Sequence, residues 1–313
     1  MIKGAVRSAV SVPLDAPGTR DSTMKDSLKH ERMHCLEVWG GNVRVEKHFH
    51  TTGLDVWVSC QPHGKAMAGG DVYYLSSCAS GRITRILLAD VSGHGEHVAG
   101  VAVGLRDLMR QNVNVVSHRR FVEAMNQQFS ASNGSGRFAT AVVNSFFAPT
   151  QSLSLCNAGH PSPFVFRAAR REWTTLDLAS TPEGSRDRPS DVPLGIVEQA
   201  GYRDVTIRLE KGDRVLCYTD AFIEARGTDG KLLGIEGLLG VVASLGDVEI
   251  HAFLSSLIDA MRALHPDNLS HDDATLVLFC ANGQRTLLHN DLLAPFRLLR
   301  EPTDASRIEA PSR

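Results

Sequence analysis

Residues 82–95 read Arg-Ile-Thr-Arg-Ile-Leu-Leu-Ala-Asp-Val-Ser-Gly-His-Gly. The β-branched and apolar run through Ile83, Ile86, Leu87 and Leu88 predicts a strand that ends at Asp90. Two glycines then open a loop, and a helical pattern runs from Glu96 to about Val113. A strand that stops at an acidic residue before a glycine loop and a helix puts a carboxylate on the rim of a sheet. The glycines let backbone or ligand approach it closely. Asp90 is therefore a candidate metal ligand, and the rest of the chain must supply its partners.

Composition narrows the field. The 313 residues are 42% hydrophobic and 22% charged, with a formal net charge of −2. That is ordinary globular composition, without the overall basic field that favours nucleic acid or an anionic membrane. No apolar run approaches the roughly 20 residues needed to span a bilayer. Residues 1–17 carry Lys3 and Arg7 but only short apolar pieces, a poor signal-peptide core, which reads as a cytoplasmic start. The six cysteines form no Cys-x-x-Cys pair. Cys60, Cys156, Cys217 and Cys280 fall in or beside strand-like runs and read as buried free thiols.

Working outward, residues 21–38 suggest a helix, broken by Gly40-Gly41-Asn42. Strands are predicted over 54–60, 71–75 and 83–90, and helices over 96–113 and 118–130. Hairpins are predicted for 137–148 with 152–156, for 164–167 with 172–178, and for 205–209 with 213–218 around Lys211-Gly212. Helices over 235–245 and 248–264 precede a last strand over 274–280, and a short helix is predicted over 291–299. Many short strands joined by hairpins, with two pairs of adjacent helices, point to an α+β fold of antiparallel sheets covered by helices. The chain divides into an N-terminal extension (1–50), a main domain (51–282) and a tail (283–313).

Acidic residues recur at apolar strand ends: Asp71 after Gly69-Gly70, Asp90, Asp220 after Val-Leu-Cys-Tyr-Thr, and Asp272-Asp273 before Ala-Thr-Leu-Val. Carboxylates on rigid strand ends suit hard cations such as Mg²⁺ and Mn²⁺. Aspartates are also common turn formers and helix caps, so spacing alone leaves both readings open.

The blocks Gly69-Gly-Asp71, Ala89-Asp-Val-Ser-Gly-His-Gly95, Asn157-Ala-Gly-His-Pro161, Pro193-Leu-Gly195, Lys211-Gly-Asp213, Tyr218-Thr-Asp220 and Asp272-Asp-Ala-Thr275 follow one another in order. Together they resemble the SpoIIE/RsbU-type bacterial branch of the PPM (type 2C) metal-dependent serine/threonine phosphatases, over roughly residues 54–280. The resemblance implies two antiparallel sheets packed as a sandwich flanked by helices. It also implies a site for two Mn²⁺ or Mg²⁺ ions. Asp90 would bridge them, the Val91 carbonyl would complete one shell, and Asp71, Asp220 and Asp272 would bind from neighbouring strands. The implied reaction is attack of a metal-activated water on a phosphoserine or phosphothreonine ester, with Asp90 and Asp220 central to catalysis. The implied substrate is a phosphorylated protein, such as an antagonist of an anti-sigma factor. Neither nucleic acid nor membrane is an expected partner.

Three departures from the branch stand out: Ala221 where glycine is usual, Tyr74 where a second Asp is frequent, and no acid in residues 61–68. Ala221 leaves open a catalytically weak regulatory protein on the same fold. A glycine there with positive φ would make the methyl costly and shift Asp220. His94 and His160 sit in tight glycine loops and read as structural. His48, His50 and His63 lack zinc-site spacing and read as solvated, as do Lys65 and Arg137. Control is expected from a separate partner or from homodimerisation through residues 21–50.

Overall fold

The computed structural model describes residues 30–32, 37–78, 81–93, 96–132, 136–176, 191–285 and 303–304. The elements, in chain order, are β1 (His30–Arg32), β2 (Glu37–Val43), β3 (Val45–His50), β4 (Leu54–Gln61), β5 (Ala68–Cys78) and β6 (Ile83–Val91). Two helices follow, α1 (Glu96–Gln111) and α2 (His118–Ser132), then β7 (Ala139–Phe147), β8 (Ser152–Ala158), β9 (Phe164–Arg167) and β10 (Glu172–Thr175). The chain continues through β11 (Val205–Arg208), β12 (Arg214–Tyr218), α3 (Gly234–Ser244), α4 (Phe253–Leu264), β13 (Ala274–Ala281) and β14 (Thr303–Asp304).

The strands form two seven-stranded sheets, ordered β1-β3-β4-β13-β12-β9-β10 and β11-β8-β7-β6-β5-β2-β14. Pairing is antiparallel except where the edge strands β1 and β14 lie parallel to β3 and β2. Period-two alternation sorts the side chains into layers. Tyr73 and Leu75 of β5, with Ile86 and Leu88 of β6, fill the space between the sheets, where they meet Val58, Val215 and Val277 of the other sheet. Val72, Tyr74, Leu87 and Ala89 point the other way, under α1 and α2, against Leu105, Phe121 and Met125. Leu216, Leu276 and Leu278 face α3 and α4, against Leu257, Ile258 and Met261. The result is an α-β-β-α sandwich. Among the described residues no helix is long and apolar enough to cross a membrane. Cys60, Cys156 and Cys217 are buried free thiols and Cys280 is half-buried.

Two local expectations give way to longer-range pairing. The helix expected over 21–38 is not formed where the chain is described: His30–Arg32 and Glu37–Val43 are strands. Gly40 does not break the chain, since a Cβ there would lie 2.7 Å from the Tyr73 carbonyl oxygen. The glycine is what lets β2 lie against β5. Trp39 of β2 packs on Phe49 of β3 with ring centroids 5.5 Å apart, so β2 and β3 belong to the two sheets and not to an extension. Residues 37–50 are thus committed within the sandwich. The second case is Lys211-Gly212. Gly212 has φ +91 and turns the chain as expected, but β11 pairs with β8 while β12 pairs with β9 and β13. The turn is a crossing from one sheet to the other. Asp213 closes it by accepting from Glu210 N (3.1 Å), Ala168 N (2.9 Å) and Arg167 Nη1 (2.8 Å). The helix expected over 291–299 lies outside the described residues.

Candidate metal centre

Asp71 of β5 and Asp90 of β6 are direct cross-strand partners. Both have the parity of the inter-sheet side chains of their strands, so both face the opposite sheet at one end of the sandwich. From that sheet, Asp220 follows the end of β12 as the first residue of a 3-10 turn, and Asp272 lies just ahead of β13. The two ends are tied together by Thr219 N donating to Thr275 O at 3.1 Å. Four neighbouring strands therefore deliver the four expected aspartates to a common rim.

Their electrostatics show a concentration of negative charge. Burial, then the charges of Asp220, Asp272, Asp273 and Glu224, push the Asp90 carboxyl up to about 7. Asp71, 2% exposed, is raised well above the usual carboxylate range by burial first and by Asp90 next. Asp220 is raised by burial, Asp272 and Glu224. Oxygen ligands carrying several negative charges on rigid strand ends fit a hard divalent cation, whose charge would reverse these shifts. Val91 O lies beside Gly70, where a Cβ would approach it to 3.0 Å.

The carboxylates are also engaged locally. Asp71 Oδ2 accepts from Thr219 Oγ1 at 2.9 Å, and Asp272 Oδ1 accepts from Asp273 N at 2.8 Å. Asp273 accepts from His63 N (2.6 Å), Gly70 N (2.5 Å) and, more weakly, Asp71 N (3.4 Å). Among the described residues no three His, Cys, Asp or Glu side chains already converge as a cation cage. A groove of about 1060 Å³ beside this rim is lined in part by His63, Lys65, Met67, His271 and Asp272.

A sequence model of the family described as stage II sporulation protein E (SpoIIE) matches residues 80–282. The chain belongs to the SpoIIE family. Among solved structures it is similar to the RsbU and RsbW domains of a Mycobacterium tuberculosis protein. That likeness has 23% identity and a TM-score of 0.62 over 78% of this chain and 64% of that one. A second likeness is to the PP2C phosphatase domain, with a fragment of the regulatory domain, of SpoIIE from Bacillus subtilis. Identity there is 13% and the TM-score 0.59, over 74% of this chain and 64% of that one. RsbX in complex with magnesium is 14% identical with a TM-score of 0.54, over 76% of this chain and all of that one. At these identities the structural likenesses speak for the fold. The chain spans 64% of the length of the first two.

In this SpoIIE-family chain two of the three departures, Ala221 and Tyr74, have a local account. Among the described residues the non-glycine positions with positive φ are Gln151, Arg171, Asp191 and Leu269, so Ala221 is not strained. Its methyl is buried (8% exposed) in the core beneath α3 and α4. Ala221→Gly is therefore expected to leave turnover within about twofold and to cost about 1 kcal/mol of stability, through lost packing and added chain entropy. Thermal melts beside a phosphatase assay would show it, and a marked gain in activity would contradict it. Tyr74 packs under α1, on the opposite face of β5 from Asp71, so it takes no place in the acidic rim.

His160, 5% exposed, is pushed down to about 3 by burial, and its Nδ1 is 2.9 Å from Thr140 Oγ1. Its backbone is held by Asn157, whose Oδ1 accepts from His160 N at 2.7 Å and whose Nδ2 donates to His160 O at 2.8 Å. A neutral, buried imidazole in such a loop is structural. His94 lies outside the described residues. His63 and Lys65 are exposed as expected, but His48 and His50 are not freely solvated. His48 stacks on Trp57 at 4.4 Å, and His50 Nδ1 meets Asp55 Oδ1 at 2.5 Å. Pairing with β4 brings them onto those partners. Sequence reasoning did not single out Thr219, Glu224 or the anchoring role of Asp273. Only Asp273 carried a signal, its place beside Asp272 in the last motif.

Proposed function

We propose that this chain is a protein serine/threonine phosphatase that works with two divalent ions, Mn²⁺ or Mg²⁺, held by Asp71, Asp90, Asp220, Asp272 and the Val91 carbonyl. The observation that carries the reading is the Asp71–Asp90 cross-strand pair, whose second member is lifted to about 7 by burial and by the acids of the facing sheet. With the ions bound, the chemistry supplied at this rim would be activation of a water and neutralisation of phosphoryl charge. The chain's own residues fix the ligands on four strand ends and keep Asp90 at the centre of the acidic group. Burial pushes His160 down to about 3, which disfavours it as a proton donor to the leaving seryl oxygen.

The groove beside Asp272 is large and open, with exposed Lys65 and an 87% exposed Met67 along it. That shape suits an extended segment of a phosphoprotein better than a small phosphoester. By analogy with the RsbU-type relatives, the substrate is a phosphoprotein of bacterial partner-switching signalling, with a regulatory partner or a second copy controlling turnover. We take the unit that carries the activity to include β2 and β3, strands of the two sheets that lie ahead of residue 51. Ala221, the feature that leaned toward a weak regulator, has no positive φ, so backbone strain does not favour that alternative.

The test is phosphate release from a phosphoserine peptide after EDTA treatment, with and without added Mn²⁺, beside a nucleoside triphosphate. Mn²⁺-dependent release from the peptide, well above that from the nucleotide, is expected. No release with any divalent ion would remove the enzyme reading.

A further inference from the structure

The threonines of Tyr218-Thr-Asp220 and Asp272-Asp-Ala-Thr275 remain unused by the reading above, although both motifs contribute expected ligands. Thr219 and Thr275 are completely buried, at 0% exposure, between the ends of β12 and β13. Thr275 N donates to Thr219 Oγ1 at 3.0 Å, and Thr219 N donates to Thr275 O at 3.1 Å. An amide nitrogen can only donate, and a hydroxyl has a single proton. With the Thr275 amide occupying an acceptor lobe of Thr219 Oγ1, the hydroxyl proton of Thr219 is free to go to Asp71 Oδ2, 2.9 Å away. With Asp71 ionised, as metal binding requires, each hydrogen bond in this chain has one direction: Thr275 amide to Thr219 hydroxyl to Asp71 carboxylate. The chain also crosses the sandwich, from the sheet of β12 and β13 to the sheet of β5.

We infer that Thr219 is a positioning residue that holds the Asp71 carboxylate in the orientation a divalent ion requires. The inference rests on the metal-dependent reading of this site. Asp71 sits in a place 2% exposed, where water cannot readily replace a lost donor. Partners that orient a ligand side chain typically contribute about 10–100-fold to metal affinity. Valine has the shape of threonine without the proton, whereas serine keeps the proton without the methyl, so the pair separates hydrogen bonding from packing.

The experiment is isothermal titration of Mn²⁺ into the metal-stripped full chain, wild type first, then Thr219→Val and Thr219→Ser, with thermal melts of each. Thr219→Val is expected to bind Mn²⁺ about 10–100-fold more weakly and Thr219→Ser within about threefold of wild type. Where Thr219→Val does not fold, Thr219→Ala, which has no branched carbon to clash, gives the same reading. Wild-type affinity in a folded variant without the hydroxyl would overturn the inference while leaving the metal site standing. A wild-type chain that takes up no Mn²⁺ would overturn the site itself, and this role with it.

Discussion

Asp90→Asn is expected to lower phosphate release by about a hundredfold to a thousandfold, the scale on which removal of charge stabilisation at a reacting centre acts. The same change is expected to make the metal-free protein more heat-stable at neutral pH. The two effects have one cause. Asp90 is where burial and four other acids meet, so it is both the ligand a cation gains most from and the charge the metal-free fold tolerates least. Its carboxyl stands at about 7 in the folded protein, above its ordinary value near 4. Below pH 4 it is protonated in both states and contributes no difference. Between about 4 and 7 the unfolded chain ionises while the folded one holds its proton, so stability falls as pH rises, and the loss is complete above about 7. Asp71 and Asp220 are shifted in the same direction and steepen the fall. Melts in EDTA across pH 5–8 should therefore decline with pH in the wild type and less steeply in Asp90→Asn. Added Mn²⁺ should raise the wild-type melt most at the alkaline end, because ion binding needs the ionised carboxylates. Equal pH slopes in the two proteins would show that Asp90 does not carry the strain.

The aspartates proposed as ligands stand out in the sequence because three of them mark the ends of apolar runs. Asp90 ends β6, Asp220 follows β12, and Asp272 precedes β13, each beside a pattern whose period announces the strand. What periodicity cannot see is which strand lies next to which. The turn at Lys211-Gly212 has the local chemistry of a hairpin, yet its two strands part into different sheets. That choice rests with Leu155, Val165 and Val277, the distant partners across each ladder. Gly40-Gly41-Asn42 reads as a breaker for the same reason: the backbone of β5, which requires a glycine at 40, is more than thirty residues away. Asn42 itself reaches Gly69 O at 2.8 Å and Ala99 O at 3.1 Å, stitching β2 to the start of β5 and to α1. Thr219 is hidden differently. A hydroxyl carries no charge or period, and its role exists only once two sheets bring it onto Asp71.

Gly69→Ala is expected to be the most damaging single-methyl change near the site. Gly69 lies in β5 without positive φ, so its backbone suits any residue and the constraint is space alone. A Cβ there would lie 2.3 Å from Asp273 Oδ2 and 2.4 Å from Cγ and Oδ1. A free side chain would swing aside at small cost, but this carboxylate is held by the amides of His63 and Gly70. Moving it releases the 61–68 segment along the groove and disturbs β5 one residue before Asp71. Overpacking of this kind typically destabilises by about 1–3 kcal/mol, and the lost amide bonds add to it. The expected outcome is a clearly lowered melt with activity reduced at least about tenfold. The cause can be isolated with a double-mutant cycle. Asp273→Ala removes the obstacle and, with it, the anchor, so it should be destabilising by itself. In that background the alanine at 69 has nothing to strike, and Gly69→Ala should then cost almost nothing further. Additive losses would mean that Gly69 matters for some reason other than the Asp273 carboxylate.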